Sequence, residues 1–387
     1  AVRLSKLEAR GREGGEARAL PVRQRWRRRS DNRREGVFLH FVHADTGAIY
    51  PEYRNEAATV DHALLLAGAL PAATYFGGEV AALVDRMAAE TNWRDYYDDE
   101  RQLINFGWEP VDHGTLQGTG RYSPSTWHVA SDEERLVYFI AVGCPTAEFA
   151  ADPRDYYRLE RHVKQHADDQ PFVVSPTGSL FTYFFSHCWI DYRSLGADDP
   201  GRFGVDGPRV DWFENSRRAT LTHRRRCIEA ADRFPTLAED RWGLSPSMGY
   251  DESDRVNYIV PDLEPNLFGR DVWHGGVVAP YAAGSAIMFT PAESLTALRA
   301  FRALQDEHGE PLVWRDPADG GYAFADSFKL DPPRVCDDNV AIDVGPMLLA
   351  IENVRSGLIW KLFMEHPTSR RAVERLQLAA IEGLEQN

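Results

Sequence analysis

Carboxylates stand beside aromatic residues again and again in this 387-residue chain. The runs are Trp189-Ile-Asp191-Tyr-Arg193, Asp211-Trp-Phe-Glu214, Tyr250-Asp251-Glu252 and Asp271-Val-Trp273-His274. A sugar ring offers a flat C–H face and a rim of hydroxyls, so aromatic plates flanked by carboxylate and guanidinium suit a glycan groove. Cleaving a glycosidic bond takes two carboxyl groups, one protonated to assist the leaving oxygen and one ionised to activate water or attack. Composition alone would pass many acidic proteins through this filter. Other chemistries lack their signatures: there is no G-x-G-x-x-G after a strand, no P-loop, no H-E-x-x-H and no G-x-S-x-G. Cys144, Cys188, Cys227 and Cys336 are far apart, so no C-x-x-C metal or redox pair exists. Three of them fall in apolar helical segments, where cysteine acts as a small hydrophobe.

The elements that must position these groups read as helices. Thr59–Leu70 is apolar all round and suits a helix covered on every side, whereas Glu79–Trp93 is amphipathic, with Val80, Leu83, Val84 and Met87 on one face. Ser131 and Glu134 form a capping box ahead of Leu136–Val142. Asp211 opens a helix to about Ala231, and Thr290-Pro-Ala-Glu293 precedes Leu295–Leu304. Gly345-Pro346 starts Met347–Arg355, Leu358–Met364 continues, and Arg370–Leu384 closes the chain. Four long loops, 98–126, 196–208, 242–281 and 307–339, separate these pieces, and loops of that length in a compact domain are usually functional. Alternating inner and outer helices with elaborate loops at one end predict an all-α fold, a helical barrel and not a bundle.

Charge and composition bound the partners. Hydrophobic residues make up 43% and aromatics 11%, with 10 Trp, 15 Tyr and 19 Phe, which excludes a disordered chain. The longest apolar run, Ala63–Leu70, is too short for a membrane span. Residues 1–35 carry a net charge of +7 and the remainder −22. An acidic body repels nucleic acid and anionic membrane. The Arg-rich head (residues 1–35) reads as a basic leader, solvated or disordered, and residues 36–387 as one domain. Only four of the 44 basic residues are Lys, which reads as codon or salt adaptation.

Five ordered motifs resemble the glucoamylase-like glycoside hydrolase family that includes bacterial endo-β-1,2-glucanases. They are His187-Cys-Trp-Ile-Asp-Tyr-Arg193, Asp211-Trp-Phe-Glu-Asn-Ser-Arg-Arg-Ala219, Trp242-Gly-Leu-Ser-Pro-Ser-Met-Gly-Tyr250, Gly276-Val-Val-Ala-Pro-Tyr-Ala282 and Ala341-Ile-Asp-Val-Gly-Pro346. The run from Ile351 to Met364 matches most closely, and Gly36–His40 and Thr59–Leu64 more loosely. The resemblance spans roughly Gly36 to Leu376. It implies an (α/α)6 barrel, no required metal or cofactor, and hydrolysis of a β-linked glucan, β-1,2 foremost, with inversion. It also favours a periplasmic or secreted location, although no signal peptide is visible.

On the same footing, the resemblance assigns Glu214 as general acid and Asp343 as the base-side carboxylate. Both residues have structural alternatives, Glu214 as the N3 member of a cap and Asp343 as a helix-dipole partner. Glu133 lies where the family places an acid before an apolar helix, although the aromatic expected just ahead of it is absent. Asp191 with Arg193 reads as a sugar-binding pair or, equally, a buried salt bridge. Trp189, Tyr250 and Trp273 are candidate stacking plates. Asn215 and Arg217 complete the substrate-binding set. Glu352 joins it too, though an intrahelical ion pair with Arg355 is its default. The rival reading is a carbohydrate-binding or accessory protein on the same scaffold that has lost catalysis. A third is a glycosyl-transferring relative with its linkage preference set by loop 242–281.

Overall fold

The computed structural model describes residues 32–43, 48–49, 56–111, 116, 119–251 and 253–378. Among them are ten α-helices: α1 (Thr59–Phe76), α2 (Gly78–Glu90), α3 (Asp132–Val142), α4 (Pro153–Arg158), α5 (Trp212–Glu229), α6 (Pro280–Ser285), α7 (Pro291–Ala303), α8 (Ala341–Ser356), α9 (Leu358–Glu365) and α10 (Pro367–Arg375). The fold is all-α in its framework.

Burial follows the hydrophobic pattern only in part: α1, expected to be covered on every side, leaves Val60, Leu64, Leu65 and Ala69 partly exposed and Gly68 exposed, because one of its faces borders solvent. On α1, Thr59, His62, Ala63, Leu66, Ala67 and Leu70 are buried. The helix runs past the expected end at Leu70 because Pro71 and Ala73 are themselves packed in the core. Gly77 and Gly78, with φ of 65° and 52°, then turn the chain back into the half-buried α2. Every residue of α3 except Glu133 is buried. The next enclosed run, Leu180–Ile190, carries two 3-10 turns, and α6 with the turn Ala286–Met288 is enclosed throughout. Between these lie the partly exposed α5 and α7.

Helix starts sit largely where the caps place them. Asp211 Oδ1 accepts the Glu214 amide at 3.0 Å, as the cap predicts. Ser131 occupies its cap position differently, its hydroxyl donating to the Glu134 carboxylate instead of accepting a backbone amide. α8 begins at Ala341, ahead of the expected start, and contains Pro346. The proline forfeits a single amide bond near the helix start, which the packing of Pro346 against the core outweighs. α10 ends at Arg375, and residues 379–387 lie outside the described set.

The expected loops contain short antiparallel hairpins that two- to four-residue strands could not announce by period-two alternation. Ser247–Tyr250 pairs with Val256–Ile259, and Ser327–Leu330 with Pro333–Cys336. The two hairpins are joined by Ser327 Oγ, which donates to the Met248 carbonyl at 2.6 Å. A Val278–Phe328 bridge ties them to the start of α6. The domain boundary expected at residue 35 falls inside another hairpin, Arg33–Arg34 with Val37–Phe38. Asn32 is buried, and the Arg34 guanidinium lies 4.1 Å above the Trp108 ring, so the body already includes these residues.

One polar knot fixes the start of α3. Asp132 accepts the Ser186 amide at 3.0 Å and pairs with Arg135, whose guanidinium lies 3.8 Å over Trp212 and 4.8 Å from Tyr192. Both members are about fully buried, so removing one strands the other's charge. Asp132→Ala is expected to lower stability by about 3–5 kcal/mol, the usual cost of breaking a buried pair from one side. Denaturant unfolding checks this, and a loss under about 1 kcal/mol would contradict it.

Candidate active site

Residues two apart on a helix differ by about 200° in direction. On α3 this turns Glu133 away from Arg135, which faces Trp212 at the start of α5. Glu133 therefore points toward the start of α1, where Asp61 acts on it electrostatically. Burial, followed by the charge of Asp61, pushes the Glu133 carboxyl up to about 7. Asp61 in turn accepts a hydrogen bond from His40 Nδ1 at 2.6 Å, which raises the His40 pKa.

A second carboxyl group stands in the first turn of α8. Asp343 is buried, and its pKa is pushed up to about 8, first by burial and then by the charge of Asp326, which lies within hydrogen-bonding range. Asp326 is buried too, and its Oδ2 accepts the Met248 amide at 2.7 Å. Tyr281, on α6, has its hydroxyl 2.7 Å from the Pro246 carbonyl and 2.8 Å from Ser245 Oγ, and it also reaches Asp343.

Tyr258 connects the two groups. Tyr258 is 58% exposed, yet its phenol is pushed up to about 12 by the desolvation of its hydroxyl and then by the charges of Asp343, Glu133 and Asp326, so it lies within electrostatic reach of both acids. Strand register places Met248 opposite Tyr258 and Tyr250 opposite Val256. Side chains directly opposite share a face, so Tyr250 stands on the same side of the hairpin as Tyr258. Glu252 of the same motif lies outside the described residues.

The remaining predicted residues are elsewhere. Glu214 is held by two guanidinium groups, Arg217 Nε at 2.7 Å and Arg218 Nε at 2.9 Å. The Arg217 hydrogen bond leads the causes that push the Glu214 pKa below its usual range, so this carboxyl stays ionised. That environment does not suit a general acid. Its neighbour Phe213 packs 5.4 Å from Phe289, eight residues along the chain from Tyr281 and past the end of α6. Asn215 is spent bridging the Val173 amide and carbonyl.

Glu352 sits nine residues, about 14 Å, along α8 from Asp343 and bonds Arg355 at 3.1 Å and Ser356 Oγ at 2.6 Å. Asp191 accepts from Arg193 Nε at 2.9 Å, and Arg193 covers the Trp360 ring at 3.8 Å. The pair is part-exposed, not buried. Trp189 is buried against Phe185, and Trp273 against Phe234, so neither offers a free plate. Glu133 and Asp343 are thus linked electrostatically through Tyr258, and Tyr250 shares the Tyr258 face of its hairpin, whereas Glu214, Arg217, Asn215, Trp189, Asp191, Arg193, Trp273 and Glu352 are engaged elsewhere. Asp326, Tyr258 and Asp61 were not singled out by sequence for this group. Asp326 and Tyr258 lie in two of the long loops, which is the one signal that pointed their way.

Among the described residues, no cluster of three or more His, Cys, Asp or Glu side chains is arranged to hold a metal ion. What the group can do is hold and release protons near neutrality at two carboxyl sites, both within electrostatic reach of the Tyr258 phenol.

Residues 124–367 match the family described as "Putative glucoamylase". The chain belongs to this family. A relative from Parabacteroides distasonis, an exo beta-1,2-glucooligosaccharide sophorohydrolase, is 25% identical over 371 residues, covering 88% of this chain and 47% of that protein. The chain therefore spans about half the length of the curated relative it matches. The endo-beta-1,2-glucanase of Chitinophaga pinensis, solved with sophorotriose and glucose, superposes with a TM-score of 0.69 at 23% identity, covering 89% of this chain and 77% of that one. A beta-1,2-glucanase structure from Parabacteroides distasonis gives 0.69 at 22% identity, covering 89% and 49%. These structural likenesses are of fold.

The shifted Glu133 has a consequence for stability. Its folded pKa, about 7, lies above the unfolded value near 4.3, so the fold favours its neutral form. The associated stability is present at acid pH and is lost as pH rises from about 4 through 7. Glu133→Gln removes that loss, so at pH 8 its Tm should exceed the parent's by a few degrees, and the difference should vanish near pH 4. Thermal scans at the two pH values check this; an equal offset at both would contradict it.

Proposed function

We propose that this protein is a glycoside hydrolase that cleaves a β-linked glucan, β-1,2-linked in the first place, with inversion at the anomeric carbon, on an (α/α)6-type toroid. The observation that carries the reading is a carboxylic acid whose pKa is pushed up to about 7, Glu133, and a second acidic pair, Asp343 with Asp326, both acting on the phenol of Tyr258. Glu133 gives its proton to the glycosidic oxygen as the bond to the anomeric carbon breaks. Water adds to that carbon and surrenders a proton to the Asp343 side. The pair of roles is what inverting hydrolysis requires. Neutral, hydroxyl-rich glucan matches a site of neutral acids and phenols. The sophorohydrolase and glucanases similar to this chain act, by their names, on β-1,2-linked glucose. The alternation of enclosed and half-exposed helical elements supports the toroid.

A panel of β-1,2-, β-1,3-, β-1,4- and α-linked glucans with product separation tests the substrate. β-1,2-Glucan alone should yield shorter sugars; binding without cleavage would make the protein a carbohydrate-binding relative. Glu133→Gln should cost at least ~100-fold in kcat, the ordinary worth of a general acid, while Glu214→Gln stays within a few-fold. The reverse ranking would return the acid to Glu214. Because Glu133 works protonated, kcat/KM should fall as pH rises past about 7.

A further inference from the structure

Asp343 Oδ2 and Asp326 Oδ1 are both buried, and neither has an N–H or O–H partner. Buried acceptors are rarely left so. Yet the two side chains lie within hydrogen-bonding range of each other, and one proton between them satisfies both oxygens. The other oxygen of Asp326 already accepts the Met248 amide, a contact that favours its ionised form. Asp343 is then the member that carries the proton, donating through Oδ2 and leaving Oδ1 for a reacting water.

We infer that Asp326 is a positioning residue for the base side, sharing one proton with Asp343 and serving as the final acceptor of the proton that Asp343 takes from the attacking water. The inference rests on the hydrolytic reading above for its role in turnover, and for the shared proton on the two buried unpartnered oxygens and the interaction between the two carboxyl groups. In the step, the water O–H breaks and its proton joins Asp343 Oδ1. The proton on Asp343 Oδ2 moves to Asp326 Oδ1, and the hydroxyl oxygen bonds the anomeric carbon. The pair passes from one negative charge to none, and Glu133 passes from neutral to singly negative as it protonates the leaving oxygen. Charge and protons balance, and solvent afterwards takes the extra proton from the pair and returns one to Glu133, restoring the starting state.

The groups that face the pair are acids, phenols and a thiol. Asp338 acts on Asp326 from the chain just past the strand Pro333–Cys336, and Cys336 feels Asp326 in return. Tyr281 faces Asp343 from α6, and Tyr258, in the neighbouring hairpin, feels the charges of both Asp343 and Glu133. None of these supplies a positive charge, so the shared proton is what lets two carboxyl groups occupy one buried site.

Carbon-13 NMR of protein labelled at the aspartate carboxyl carbons tests the pair, with Asp343 and Asp326 assigned by the signals lost in Asp343→Asn and Asp326→Asn. In the parent, both signals should move together in a step near pH 8. In Asp326→Asn, whose amide oxygen can keep the Met248 contact, that step should vanish and Asp343 should ionise at least ~2 pH units lower. On β-1,2-glucan the same variant should lose at least ~10-fold in kcat with KM within about twofold, because Asp326 acts through Asp343 and does not touch sugar. A step that persists in Asp326→Asn overturns the shared proton, and an undiminished kcat overturns the relay. If the step is present and no glucan is cleaved by the parent, the pair stands and the hydrolytic reading falls. If glucan is cleaved and no step exists, the pair falls alone.

Discussion

A carboxyl group in the first turn of a helix meets a positive dipole end that favours its anion by roughly 0.3–1 kcal/mol. Glu133, Asp343 and Glu214 all occupy such positions, yet they end in opposite states. Raising Glu133 from near 4.3 to about 7 is worth on the order of 3–4 kcal/mol in favour of the neutral form, so burial outweighs the dipole several-fold. At Glu214 two guanidinium groups and contact with solvent reverse the balance. The chemistry available at each helix start is decided by what packs around it, not by its place in the helix. That constraint organises the rest.

Holding the partly buried Glu133 in its place requires α3 to be fixed between its neighbours. The helix is apolar from Leu136 to Val142, and its start is fastened by Asp132 to the Ser186 amide and by Arg135 against Trp212 and Tyr192. The same fastening sets the rotation of the helix and so the direction of Glu133. On the other side, Asp343 is enclosed by two loop hairpins clamped to α6 through Ser327 and Val278. Neutral buried acids lower stability as pH rises, a cost natural proteins carry at functional sites.

Much of the framework was legible in the sequence. The helices α1, α2, α3, α5 and α7 follow from apolar spacing and from the Asp211, Ser131 and Pro291 start signals. The family resemblance led to Asp343 and Glu133. It also led to Glu214, because a motif names a position and says nothing of the arginines at 217 and 218 that claim its carboxylate. Aromatic-acid pairs such as Trp189 with Asp191 were legible as a composition but not as a surface, since Trp189 is turned into the core. Asp326 and Tyr258 were illegible for another reason. They sit beside and within strands too short to show a period, and they meet Asp343 and Glu133 through contacts across the fold.

The most direct measurement of where this chemistry happens is a structure of the Glu133→Gln protein with a β-1,2-linked glucose oligosaccharide. The account predicts a glycosidic oxygen within hydrogen-bonding distance of the side chain at 133, with the anomeric carbon turned toward Asp343 and Tyr258 alongside. Sugar seated against Glu214 and Arg217, with nothing between 133 and 343, would contradict it.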